Sequence, residues 1–76
     1  MANKCIYNVR MQGGEAIAVE AERNITVKEV LTAAQGKLAG LPDKFGTIKG
    51  VKQDSGSYNL NNIAPMNSEV MEVVFK

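Results

Sequence analysis

Cys5 is the only strong nucleophile in this sequence, and the sequence contains no His that could act as its base. A thiol attacks as the thiolate, so without imidazole or another activating partner it stays a weak reagent near neutral pH. Cys5 also alternates with Tyr7 and Val9, which places it on the buried face of a strand as an inert core thiol. One Cys and no His exclude an intramolecular disulfide, a His–Cys zinc cluster and a Ser-His-Asp triad. Glu15, Glu20 and Glu22 lie on or beside one strand; with no second acidic element to complete a metal site, they are expected to be solvated or paired. Gly13-Gly14 is followed by neither Gly-Lys-Ser nor Gly-Lys-Thr and leads into a strand, so it reads as a hairpin turn and not as a phosphate cradle. The expectation is a protein that is not an enzyme, with no catalytic residue, no cofactor and no metal site.

Binding is the chemistry that remains. Lys44, Lys49 and Lys52 form a secondary basic patch that would suit an acidic partner. Asp43 and Asp54 interrupt it and only Tyr58 is near for stacking, so nucleic acid is not the expected ligand. Lysines on edge strands also serve to block unwanted pairing. The whole chain has nine basic and eight acidic side chains, a net charge of +1, too little to draw it to nucleic acid or an anionic membrane. With 45% apolar and 22% charged residues the chain should fold, unlike apolar-poor disordered sequences. Its 76 residues form a single domain, 1–76, since a chain this short buries only roughly 60% of its unfolded surface. Neither a signal-peptide run at Met1-Ala2-Asn3-Lys4 nor the ~20 apolar residues of a membrane span is present. The expected location is cytoplasmic, which suits an unpaired thiol.

A few short elements must position these groups. Cys5, Tyr7, Val9 and Met11 fall on one side of an alternating stretch, with Asn8 and Arg10 on the other, the period-two signature of a half-buried strand. Ile6 is the apolar residue on the outer side. Gln12-Gly13-Gly14 provides a tight reversal, and Glu15–Ala21 reads as the second strand of a hairpin with Ile17, Val19 and Ala21 inward. Thr26 followed by Glu29 is a capping box, and Val27, Val30, Leu31, Ala34 and Leu38 make the apolar stripe of an amphipathic helix. Gly40 and Pro42 end that helix, and Gly36 weakens its last turn by about 1 kcal/mol relative to Ala.

Lys44–Ile48 reads as a short strand, Lys49-Gly50 as a turn and Val51-Lys52 as another short strand. Gln53–Asn62 reads as polar loops anchored by Tyr58 and Leu60, with Ile63 beyond them, and region 42–62 as a whole holds either two short strands or a longer hairpin. The last stretch, Ser68–Lys76, is the most apolar strand, and its half-apolar second face suits a central place in the sheet. The expected core is Tyr7, Val9, Ile17, Val19, Val27, Val30, Leu31, Ala34, Leu38, Met71, Val73 and Phe75. The first strand should run parallel to the last, because a helical crossover separates them.

The order hairpin, helix, short strands, long loop and last strand resembles ubiquitin and its relatives over nearly the whole chain. Ile6-Tyr7-Asn8-Val9-Arg10 and Ala16–Glu22 resemble the opening hairpin, and Ile25-Thr26-Val27-Lys28-Glu29-Val30 the capped helix start. Gly40-Leu41-Pro42-Asp43, Ile48–Gln53, Tyr58-Asn59-Leu60 and Asn61-Asn62-Ile63 follow in matching order. Asn67–Val74 is similar to the turn into the final strand of the sulfur carriers of the thiamine and molybdopterin pathways. The resemblance implies an α+β, ubiquitin-like β-grasp fold, a mixed four- to five-stranded sheet packed on one α-helix.

In that family the open sheet face and first hairpin loop dock partners, which implies Ile6, Met11, Ile48, Val70 and Val74 as protein-binding candidates. Single exposed apolar residues also occur without function. The carriers act through a Gly-Gly tail, whereas this sequence ends in Phe75-Lys76. The expected function is therefore a non-catalytic adaptor or inhibitor that binds another protein through its sheet face or edge, with a sulfur-carrier or protein-modifier homologue as the alternative. Self-association is the competing use of the same surface.

Overall fold

The computed structural model describes residues 3–38 and 40–76; the first two residues of the stretch weighed as a targeting signal lie outside them. Alternating burial builds β1 (Lys4–Arg10) and β2 (Ile17–Glu22), which pair antiparallel with Tyr7 opposite Val19. The reversal between them closes with the Gly14 amide donating to the Met11 carbonyl at 2.9 Å, and Gly13 takes a φ of 79°. That left-handed geometry costs Gly little because it has no Cβ.

The helix α1 (Val27–Ala34) starts where the capping box places it. The Glu29 amide donates to Thr26 Oγ1 at 3.2 Å while the Thr26 amide donates to Glu29 Oε1 at 3.0 Å. Two further amides of the first turn are closed by the chain arriving at residues 60–62, Val27 donating to the Asn62 carbonyl and Lys28 to the Leu60 carbonyl. The regular helix stops at Ala34, short of Leu38. Lys37 and Leu38 amides both donate to the Ala34 carbonyl, a tightened last turn at the weak point that Gly36 creates. Leu38 is still carried into the core.

From Leu41 the structure departs from the sequence reading. Leu41–Lys44 forms a short helix, α2, and Phe45–Thr47 a 3-10 turn, in which Thr47 Oγ1 donates to the Lys44 carbonyl at 2.7 Å. The expected strand Lys44–Ile48 is therefore absent. Strand β3 runs unbroken over Ile48–Gln53 and pairs antiparallel with β4 (Gly56–Asn59), so of the two alternatives for region 42–62 it is the longer hairpin that forms, with β4 in the stretch that reads as polar loop. Lys49-Gly50 is not a turn: opposite the consecutive Phe75 and Val74 stand Ile48 and Gly50. Lys49 is the extra residue of a β-bulge, which turns both Ile48 and Val51 inward. Gly50 is required there, since a Cβ would overlap the Tyr58 carbonyl oxygen.

Strand β5 (Met71–Phe75) completes a five-stranded mixed sheet in the order β2-β1-β5-β3-β4. It occupies the centre, parallel to β1 through Val9–Met71 and Arg10–Glu72 and antiparallel to β3. The domain is thus α+β, one face of the sheet packed on α1. Tyr7, Val9, Val19, Met71 and Val73 from the sheet meet Val27, Val30, Leu31, Ala34 and Leu38 in the core. Leu41, Ile48, Val51 and Ala64 join them, while Ile17 and Phe75 are half-buried at its margin. Tyr58 and Leu60 anchor their segment against this core; Ile63, 52% exposed, does not.

Candidate protein-binding face and edges

Strand alternation and register place Ile6, Asn8 and Arg10 of β1, Ala18, Glu20 and Glu22 of β2, Glu72 and Val74 of β5, and Lys52 of β3 on the face away from α1. Ile6 is 51% exposed on this open face; Val70, just before β5, is 37% exposed, and Val74 is half-buried. The two other residues implied for the same surface lie elsewhere. Ile48 is buried, turned into the core by the bulge at Lys49, and Met11 is half-buried against that core.

Charge crosses the middle of the open face as a short chain. Arg10 Nη2 lies 3.3 Å and Lys52 Nζ 3.9 Å from the same Glu72 oxygen. Beside it a groove of about 370 Å³ is lined by Arg10, Lys52, Gln53, Asp54, Glu69, Val70 and Glu72. Its polar groups are largely engaged with one another. Gln53, buried although polar, donates to Asn67 Oδ1 at 2.9 Å and to the Glu69 carbonyl at 3.0 Å, and Asn67 donates back to Gln53 Oε1. The Ser55 amide and hydroxyl both donate to Glu69 Oε1 at 3.2 Å. This mutual satisfaction is what allows Gln53 inside.

The three lysines do not converge. Lys44 Nζ sits 5.7 Å from the Phe75 ring centre, a cation–π contact, whereas Lys52 is drawn to Glu72. Phe75 and Glu72 are about 10 Å apart along β5 by strand rise. Cys5 is half-buried on the same face of β1 as Tyr7. Tyr7 is fully buried and its hydroxyl donates to the Glu22 carbonyl at 2.7 Å. Burial first, then the Cys5 contact, push the phenol up to about 12. Among the described residues, no group of three His, Cys, Asp or Glu is disposed to hold a metal ion.

The two edges of the sheet differ. The Arg23 amide donates to the Asn3 carbonyl, so in this antiparallel ladder the backbones of Val19 and Ala21 face β1 while those of Ala18, Glu20 and Glu22 face outward. The Tyr7 hydroxyl takes the Glu22 carbonyl; among the described residues nothing bonds the outward groups of Ala18 and Glu20. On the opposite edge Asn59 faces outward, and Asn62 closes it twice: the Asn59 amide donates to Asn62 Oδ1 at 2.8 Å and the Asn62 amide to the Asn59 carbonyl at 3.1 Å. Glu20 and Glu22, which in sequence read only as solvated or paired acids, thus stand on a free edge.

No family model matches the chain, and no curated protein matches it. Among the described residues, no helix is long and apolar enough to cross a membrane.

Proposed function

We propose that the chain is a ubiquitin-like β-grasp domain that works without catalysis, as an adaptor or inhibitor binding another protein through the side of its sheet that α1 leaves bare. Support for the fold reading comes from the parallel β1–β5 pair at the sheet centre, the arrangement that the resemblance implies. The functional reading is carried by one observation: Ile6 and Val70 are exposed on a sheet face over which no element of the described chain packs. By the parallel register Ile6 and Val70 lie together on one side of the charged Arg10–Glu72–Lys52 row, an apolar patch with polar surroundings, as at the core of an interface.

The test is capture of a binding protein from the source cells by the full chain and by Ile6→Glu and Val70→Glu variants. Both positions are exposed, so far-UV circular dichroism and thermal melting should match the parent. The reading expects both variants to lose the captured protein. Undiminished capture by both would remove the open face from consideration.

A further inference from the structure

We propose that the outer edge of β2 accepts an extended, basic segment of a partner protein as a sixth strand. This deepens the interaction-module reading and rests on it. Strand β2 is an edge of six residues containing no Pro and no Lys, the devices that usually protect an edge. The outward N–H and C=O groups of Ala18 and Glu20 offer a ready ladder, and strand addition draws its affinity from such main-chain bonds.

Side chains on the two sides of this edge specify the occupant. On the open face Glu20 and Glu22 stand two residues apart, and neither forms an ion pair among the described residues. Glu20 faces Ile6 across the ladder, and Lys4, opposite Glu22, does not close on it. Residues of an added strand lying opposite them are therefore favoured as Lys or Arg, since opposite charges directly across a ladder attract and like charges repel.

On the helix side a groove of about 290 Å³ runs between β2 and α1, with Ala21, Ile25 and Ala33 as its apolar walls and Lys4, Glu22 and Glu29 at its charged margin. It suits small apolar side chains at the intervening positions. The favoured segment thus alternates basic with small apolar residues. A second copy of β2 is disfavoured, because antiparallel self-pairing would bring the Glu20 and Glu22 pairs of two copies together. The acidic edge selects by repulsion as well as attraction.

The experiment titrates the full chain with a short synthetic peptide in which Lys alternates with Ala and Val, following backbone amides by NMR and their hydrogen exchange. Controls carry Glu in place of Lys, or the same residues with the lysines in one block. Slowed exchange at Ala18 and Glu20 with the alternating Lys peptide alone is the expected result. The double variant Glu20→Lys/Glu22→Lys should bind it roughly tenfold more weakly and gain affinity for the Glu peptide.

Equal binding of the blocked peptide, or shifts without protection at Ala18 and Glu20, would overturn the proposal as a mere charge effect. Perturbation confined to Val70, Glu72 and Val74 would overturn it while leaving open-face binding intact. Loss of protein capture in Val70→Glu with full capture by the double charge variant would do the same.

Discussion

Strand β4 ends the sheet with four residues and lends the outward backbone of Asn59 to Asn62, whereas β2 ends it with six residues and leaves Ala18 and Glu20 without a partner. Both edges belong to antiparallel pairs, so ladder geometry does not separate them. Chain connection does. The segment after β4 must return to the amino terminus of α1, where Asn62 and Leu60 carbonyls satisfy the Val27 and Lys28 amides; passing there, Asn62 closes the β4 edge at Asn59, leaving, among the described residues, only the outward backbone of Ser57 open on it. The chain leaving β2 turns directly into α1 through Asn24, at a φ of 60°, and Ile25. It passes beneath the sheet and covers nothing on its rim. An open edge is thus a by-product of a short connection, and Glu20 and Glu22 determine what can use it.

The difference can be broken most severely on the β4 side. Gly50→Ala places a Cβ against the Tyr58 carbonyl oxygen, backbone that cannot yield without parting β3 from β4. A loss of about 3 kcal/mol in urea unfolding is expected, the upper end for overpacking. Amides of β4 should lose exchange protection before those of β1.

Tyr7→Phe acts at the β2 end. It removes the hydroxyl that holds the Glu22 carbonyl, and about 1.5 kcal/mol of stability should go with it, from the lost bond and an unpartnered acceptor. A pH effect accompanies it. The folded-state phenol sits at about 12 against an ordinary value of 10.0, so its contribution is complete below pH 10 and is lost as pH rises toward 12. The parent should lose stability across that window and Tyr7→Phe should not show this component, as read from urea midpoints at successive pH values.

Asn62→Ala sharpens the comparison by making the β4 edge resemble β2. It deletes the acceptor of the Asn59 amide, with about 1 kcal/mol of stability lost and faster exchange at Asn59. Smallest is Glu20→Lys/Glu22→Lys, two exposed positions without ion pairs, where unfolding should shift by less than about 0.5 kcal/mol although the choice of peptide reverses.

The half of the molecule that carries the open edge was the more legible in sequence. Tyr7, Val9 and Val19 alternate without interruption, and Thr26 with Glu29 marks the helix start by local chemistry alone. Around β3 the period fails for a physical reason: the bulge at Lys49 leaves Ile48 and Val51 three residues apart yet both inward, which imitates two strands and a turn. Strand β4 has only Tyr58 to signal burial and is a strand because β3 pairs with it. Leu41 opens the four-residue α2 and Ala64 lies in an irregular segment, each a single buried residue with no periodicity to reveal it. The site was legible only in its parts. Ile6 and Val70 were placed correctly as exposed, Ile48 was not, and the free edge at Glu20 depends on strand order, which no local pattern encodes.

Amide hydrogen exchange of the free protein tests the inequality of the two edges most directly. The structure predicts rapid exchange at Ala18 and Glu20, protection at Val19 and Ala21 between and beyond them, and protection at Asn59 on the far edge. Protection of Ala18 and Glu20 equal to that of Val19, or exchange at Asn59 as fast as at Ala18, would contradict it.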